Sequence, residues 1–255
     1  VLVFMDADVA LEREGLEWIA GELEALDAGI LTAVPRQEMG TAVEQWVMPL
    51  LSLTYTAWLP LFLVYASKNP RFLAANGQVI AFEREAYDRI GGFEAVRAEV
   101  VDDMAITRAA KMLGLRVVFA EGSRIARCRM YTGGRDLWEG FSKNIYEGLG
   151  GPLALAFALA LYLVAWVVPW VGLALAPGWP AVTWPALIGV GAGLSTRALL
   201  ALRFGHRWWS VLAHPTAVLG LVAIALNSWR WNALGTVHWA GRVYSARAVR
   251  DGADV

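Results

Sequence analysis

Between Glu147 and Arg197 the chain carries no charged residue. About 20 consecutive apolar residues are enough to cross the roughly 30 Å hydrocarbon core of a bilayer. Leu153–Ala176 is therefore read as one membrane-spanning segment, broken by Pro177, Gly178 and Pro180. Trp184–Leu202 is read as a second, with Arg197 and Arg203 at its close, and Val211–Leu226, which carries Pro215, as a shorter third. Tryptophans gather at the ends of these runs (Trp166, Trp170, Trp179, Trp184, Trp208, Trp209, Trp229 and Trp231), as interfacial side chains do. A transmembrane region over 148–227, with about three hydrophobic segments, is expected, followed by a basic tail over 228–255. The excess of Arg after the second segment places Glu147 and Arg207 on the cytoplasmic side by the positive-inside rule. The tail, with Arg230, Arg242, Arg247 and Arg250, then obeys that rule only if Val211–Leu226 is re-entrant around Pro215.

The residues before this region have a different character. Through Glu147 there are 21 acidic and 15 basic residues, against 2 and 7 beyond it. A mildly acidic front half lacks the dense basic stripe of a nucleic-acid-binding surface, so no nucleic-acid partner is expected. Cys128 is the single cysteine, and the three histidines, His206, His214 and His238, all lie in the apolar half. A disulfide framework and a Cys- or His-based metal centre are excluded.

Within 1–147, strand and helix patterns alternate. Val1–Phe4 reads as a buried strand, Glu12–Ala28 as a helix, Ile30–Pro35 as a strand, and Phe72–Phe82 as a strand with Gly77 inside it. Arg84–Ile90 reads as a short helix closed by Gly91-Gly92, Ala105–Leu113 as a helix with Gly114 just beyond, and Arg116–Ala120 as a strand. This is an α/β sheet domain. The opening strand has no lead-in, so the sequence is expected to be a piece whose upstream strands are missing. Gln45–Ser67 is also uncharged. A true crossing there would separate Asp6 and Asp8 from Asp102 and Asp103, so an interfacial or bent helix, interrupted by Pro49 and Pro60, is expected instead.

Three clusters carry chemistry. Asp6-Ala7-Asp8 ends the first strand, and in open α/β sheets ligands bind at the carboxyl ends of strands. Two carboxylates there suit a hard divalent cation holding a diphosphate; the plainer alternative is a solvated acidic turn. Asp102-Asp103 precedes a helix, where neighbouring negative charges raise a carboxyl pKa towards that of a useful base; the alternative is an N-cap. Arg129, Tyr131, Lys143 and Asn144 supply cations and donors just ahead of the first apolar run, to hold a phosphate or face anionic lipid heads.

Taken in order, these stretches resemble the membrane-bound family 2 glycosyltransferases with a GT-A, Rossmann-like fold, within them the carotenoid and lipid glucosyltransferase branch. The resemblance covers essentially the whole sequence. Asp6-Ala7-Asp8 is similar to that family's metal-binding DxD. Asn76-Gly77-Gln78 with Gly91-Gly92-Phe93 resembles its acceptor-side strand and GGF turn, and Asp102-Asp103 its Glu-Asp pair, with Asp103 at the catalytic base. The stretch RMYTGGRDLWEGFSKN from Arg129 to Asn144 resembles the RMYPGG…GWSKN signature of the diaponeurosporenoate glucosyltransferase type, and Trp239–Tyr244 its terminal WKGRxY. Thr132 stands for Pro, Ala240 for Lys and Asp102 for Glu, and no QxxRW motif is present, which counts against processive synthesis.

The resemblance implies an inverting transferase that moves a hexose from a nucleotide sugar, by default a UDP-sugar, to a lipid acceptor. It implies Mg²⁺ or Mn²⁺ at Asp6 and Asp8, with Asp103 and Asp102 catalytic. Asn76, Gly77, Arg129, Tyr131, Lys143 and Asn144 are the expected substrate contacts. The upstream strands would hold the Asp that reads the nucleotide base. The enzyme is expected in the cytoplasmic membrane, multi-pass, with its catalytic domain in the cytoplasm. Two other readings compete. Phe4-Met5-Asp6-Ala7-Asp8-Val9 also fits the start of a haloacid-dehalogenase phosphatase, with Asp6 as nucleophile and Asp8 as acid/base, but Phe72–Val101 lacks the Lys that fold needs. A non-catalytic membrane scaffold or transport subunit would keep the apolar helices, yet its intramembrane ionisable residues, Arg197 and His214, are few for a transporter.

Overall fold

The computed structural model describes residues 1–255 except 60, 98, 100, 240, 241 and 245–255, and the side chains of 237–244 lie outside the description. In chain order the elements are β1 (Leu2–Met5), β2 (Val9–Leu11), α1 (Gly15–Ala25), β3 (Ile30–Gln37), α2 (Ala42–Val47), α3 (Pro49–Leu53), a π turn (Thr54–Trp58) and α4 (Leu61–Ala66). There follow β4 (Val79–Phe82), α5 (Arg84–Ile90), a 3-10 turn (Phe93–Val96), α6 (Asp102–Met112) and β5 (Val117–Cys128). The chain continues with α7 (Gly134–Leu149), α8 (Pro152–Trp166), α9 (Val168–Leu175), α10 (Thr183–Phe204), α11 (Trp209–Leu212), α12 (His214–Leu234), β6 (Val237–Trp239) and β7 (Arg242–Tyr244). They form two compact units, Val1–Glu38 with Tyr55–Met130, and Met39–Thr54 with Tyr131–Val255.

The first unit is built on a five-stranded mixed sheet in the order β1-β4-β3-β5-β2. β4 runs antiparallel to both β1 and β3, whereas β3 and β5 are parallel, Ile30 facing Val117 in register. Strand periodicity divides the core between the two faces. Leu31, Ala33, Val79 and Ala81 join Ile19 and Leu23 of α1 in one cluster, while Ile30, Ile80 and Phe82 join Ile106 and Ala110 of α6 in the other. β3 and β4 are thus apolar on both sides, the pattern of a sheet covered by helices. Gly91, with φ +85°, ends α5, and Gly92 follows at φ +63° with the Tyr87 ring so close that a Cβ would lie 2.8 Å from it. Only glycine suits that turn.

Several element boundaries differ from the sequence expectation. Phe72–Phe82 is a strand only from Val79, and Gly77 lies in the turn before it. The reason is local: the Asn76 side chain accepts the Gln78 backbone N–H at 2.9 Å, curling the chain, as Asx turns do. α6 begins at Asp102 rather than Ala105, so the acid pair forms its first turn, where carboxylates complement the helix dipole. β5 continues to Cys128, its last residues pairing with the short β2. Gln45–Ser67 is not one helix but α2, α3, the π turn and α4. Its break at Pro49 is seen directly, and Pro60 lies outside the described residues.

In the second unit, α2 and α3 are buried by protein: Val47, Leu50 and Leu53 are each at most 2% exposed. Trp46 donates to Thr216 of α12 at 3.0 Å, and its ring covers Gly220, where a Cβ would lie 2.8 Å from it. Thr54 and Tyr162 share a 2.6 Å hydrogen bond. α12 runs along α7, with Ser228 accepting the Tyr146 N–H at 3.0 Å and Asn227 donating to Ser142 at 3.0 Å.

Among the described residues two helical segments are long and apolar enough to cross a membrane, Pro152–Leu175 and Pro180–Phe204, with only 11% and 28% of their apolar windows buried. A core helix of that length would hide most of its surface. Here Leu153, Phe157, Trp184 and Ile188 are all at least two-thirds exposed, a surface that water would disfavour and hydrocarbon would not. The third apolar run becomes α11 and part of α12, with Pro215 in the first turn of α12.

Candidate active site

At the end of β1 the chain turns through Asp6, Ala7 and Asp8, all exposed. Asp6 donates its backbone N–H to Gln78 O at 3.2 Å, and Val9 donates back to Asp6 O at 3.1 Å, so the turn is pinned to the loop preceding β4. On its other side, Arg129 N–H reaches Asp8 O at 3.4 Å. The acidic turn therefore sits between the Asn76–Gln78 loop and the end of β5.

The Asn76–Gln78 loop is anchored from below. Thr32, fully buried in β3, accepts the Asn76 N–H at 2.7 Å and donates its hydroxyl to Asn76 O at 2.8 Å. A buried strand hydroxyl needs partners, and here both of them belong to the loop. Gln78 is buried, accepts from Gln37 Nε2 at 2.9 Å and donates to Cys128 Sγ at 3.0 Å. Burial, then the nearby Asp8 charge, push the Cys128 thiol pKa far up. This thiol stays protonated and is no nucleophile.

Asp103 meets this loop from α6. Gly77 lies against it, an added Cβ falling 3.4 Å from Asp103 Cβ, and Gly77 N–H donates to its carboxylate, as does Met104 N–H at 2.7 Å. Burial, chiefly, and the neighbouring Asp102 charge raise the Asp103 pKa, against those hydrogen bonds that lower it. Asp102 is exposed and accepts the Asp103 N–H at 2.9 Å. The N-cap alternative does not describe the pair, since Val101 holds the N-cap position and both acids are inside the helix.

Asp6, Asp8, Asn76, Gly77, Asp102, Asp103 and Arg129 all belong to the sheet unit. The other expected contacts, Tyr131, Lys143 and Asn144, belong to the helical unit. Tyr131 is 3% exposed, its ring centroid 5.3 Å from that of Phe141 and its face so close to Gly140 that no Cβ would fit there. Lys143 and Asn144 lie half-buried on α7. Reading the sequence left Thr32, Gln37 and Cys128 out of the site. For Cys128 the available signal was its position one residue before Arg129.

Among the described residues no three His, Cys, Asp or Glu side chains gather into a metal cage. Two exposed carboxylates at a strand end do fit a hard cation that takes its remaining ligands from phosphate oxygens, the usual manner of Mg²⁺.

An α/β sheet with acids at one end, in a chain that also carries long exposed apolar helices, has the make-up of a membrane-associated enzyme. The model of glycosyl transferase family 21 matches residues 1–132, and the chain belongs to that family. The numbered family that matches is thus 21, where the motifs resembled family 2. The 4,4'-diaponeurosporenoate glycosyltransferase of Staphylococcus aureus (strain bovine RF122 / ET3-1) is 23% identical over 251 residues, covering 96% of this chain. The chain spans 66% of that relative's own length.

Proposed function

We propose that this protein is an inverting, metal-dependent hexosyltransferase that takes a nucleotide sugar, of the UDP type, and glycosylates a lipid acceptor at the cytoplasmic face of a membrane. The family places it among glycosyltransferases, which sets aside the phosphatase and scaffold readings. The observation that carries the finer reading is Asp103, a largely buried carboxyl of raised pKa against the Asn76–Gln78 loop, in the same unit as the Asp6–Asp8 turn. The parallel pair β3 and β5 with the reversed β4 beside β3 supports a GT-A-like arrangement.

Asp8 and Asp6 would hold Mg²⁺ or Mn²⁺ against the donor diphosphate. When bound, such an ion supplies Lewis-acid stabilisation of the departing phosphate. Asp103 accepts the proton of the acceptor hydroxyl or carboxyl as that oxygen attacks the anomeric carbon. The bond to the diphosphate breaks on the opposite face, and the configuration inverts. A base with a raised pKa takes a proton more readily in the transition state. Arg129 adds positive charge where the diphosphate gains negative charge, while Asn76 and Gly77 serve the substrates. The two exposed apolar helices favour a membrane-associated enzyme, which we take to be multi-pass with its acceptor entering from the bilayer, and a carotenoid acid is the acceptor class suggested by the relative.

Membranes containing the full-length protein, given radiolabelled UDP-glucose and Mg²⁺ or Mn²⁺, should pass label into an organic extract and stop when EDTA is added. Label that stays in the aqueous phase with every common nucleotide sugar would remove this reading.

A further inference from the structure

Lys111 joins two segments of the sheet unit, and both carry apolar side chains on the outside. Its Nζ donates to the carbonyls of Val64, Ser67 and Phe72, so the end of α6 is tied to α4 and to the turn after it. Val64 is buried in the core cluster that it shares with Ile106 and Ala110 of α6. Away from that core, α4 carries Phe62, 75% exposed, and Tyr65, one turn on and also exposed. On α6, Met112 is 74% exposed, and Leu113 beside it is exposed too. Among the described residues of this unit, the other large apolar side chains left exposed are Val1, Met5 and Leu16.

The segments that carry these side chains are basic. From Gln45 to Phe82 and from Met104 to Ala120 there is no Asp or Glu, whereas Lys68, Arg71, Arg108, Lys111 and Arg116 all lie there. Lys111 is engaged by its three carbonyls. Arg116 lies over the Tyr65 ring, 5.4 Å from its centroid, and pairs with Asp27 at 3.5 Å. Lys68, Arg71 and Arg108 are exposed, and among the described residues none of them makes an ion pair. Arg108 stands four residues before Met112 and so on the same side of α6.

An exposed apolar patch rimmed by polar groups marks an interaction surface. Rings set among unpaired cations suit the headgroup region of a bilayer, where the rings reach the acyl boundary and the cations meet anionic phosphates. The same chain continues into helical segments long and apolar enough to cross a membrane, so a bilayer is the surface this patch is held near.

We infer that the outer side of α4 and of the end of α6, with Phe62, Tyr65, Met112, Lys68, Arg71 and Arg108, docks on the anionic surface of a lipid bilayer. The α1 side of the sheet then faces away from the lipid, since Ile19 and Leu23 of α1 pack in the cluster on the opposite face. The interfacial character expected of Gln45–Ser67 is thereby confined to α4. This inference rests on the membrane part of the proposed function and not on sugar transfer.

The test is nitroxide accessibility in the full-length protein, reconstituted in phosphatidylcholine vesicles with and without phosphatidylglycerol. Single labels are attached at Phe62→Cys, at Met112→Cys, at Glu24→Cys on α1 and at Phe157→Cys in the first apolar segment, with wild type as the labelling blank. With phosphatidylglycerol present, the labels on α4 and α6 should be open to oxygen and shielded from a water-soluble nickel chelate, while the label on α1 stays open to nickel. Lys68→Gln with Arg71→Gln, read through the label at Met112→Cys, should weaken docking about 30-fold, equivalent to about 2 kcal/mol for two cations. The inference falls if the labels on α4 and α6 are as open to nickel as the label on α1. It falls equally if they are shielded from oxygen and nickel alike, as a covering protein segment or a second copy would make them, or if phosphatidylglycerol changes nothing. Should Phe62→Cys not fold, Met112→Cys decides. A label at Phe157→Cys that is not in lipid would remove the membrane reading itself; one in lipid, with aqueous labels on α4 and α6, removes this inference alone.

Discussion

Lys111 holds the segment leading to the Asn76–Gln78 loop, and replacing it tests whether that loop is positioned from α6. The side chain is 2% exposed and its Nζ donates to three backbone carbonyls: Val64 at 2.7 Å, Ser67 at 2.8 Å and Phe72 at 2.6 Å. In Lys111→Met the apolar stem stays roughly matched in volume while all three bonds vanish. A hydrogen bond to a charged group is worth about 1.5–3 kcal/mol net, and an orphaned buried carbonyl costs about 1–3 kcal/mol. Val64 O is the buried member and would bear that full cost; the carbonyls of Ser67 and Phe72 are partly buried and can recruit water. Removing a desolvated ammonium, whose pKa burial lowers, offsets part of the loss. The expected net destabilisation is about 3 kcal/mol. Amide hydrogen exchange of the full-length protein should show faster exchange over 64–78, with slower-exchanging β3 and β4 little changed. Arg108→Met, an exposed change on the same helix, should stay within about 0.5 kcal/mol. Exchange over 64–78 unchanged in Lys111→Met would refute the clamp.

Asp8→Asn should abolish Mg²⁺- or Mn²⁺-dependent donor binding while leaving the thermal transition within about 1 kcal/mol, since the side chain is exposed; isothermal titration with UDP-glucose and metal reads this. Asp102→Asn removes one of the influences that raise the Asp103 pKa. A lower pKa makes Asp103 a base at lower pH, so the acid limb of the kcat/KM profile should move to lower pH; a shift to higher pH would contradict the assignment. Cys128, 1% exposed and with its thiol pKa raised, should resist maleimide in the folded protein and react on unfolding. Rapid labelling of the native form would place the thiol somewhere other than between Gln78 and Asp8.

The parts of this fold that were legible in the sequence are those whose cause is local. β1 and its acidic turn follow from an apolar run ending in Asp6, α5 from its Gly91-Gly92 stop, and the long apolar helices from the absence of charge between Glu147 and Arg197. The illegible parts depend on partners far along the chain. Thr32 reads as an ordinary strand residue until it is seen to hold Asn76, 44 residues away. Phe72–Gln78 has the apolar content of a strand, but the turn imposed by Asn76 and the pull of Lys111 keep it out of the sheet. β2 is three residues long and exists only because β5 extends beside it. The residues of the candidate site, Asp6, Asp8 and Asp103 among them, could be named from motifs, whereas the bonds around them, through Thr32, Gln78 and Cys128, could not.

The most direct test of the central claim compares wild type and Asp103→Asn in one preparation, measuring UDP-sugar binding and label transfer to the lipid phase side by side. Loss of a general base typically costs about 10²–10⁴ in rate. The account predicts donor binding within a few-fold of wild type and transfer reduced by at least about 10²-fold. Transfer by Asp103→Asn at the wild-type rate would contradict it.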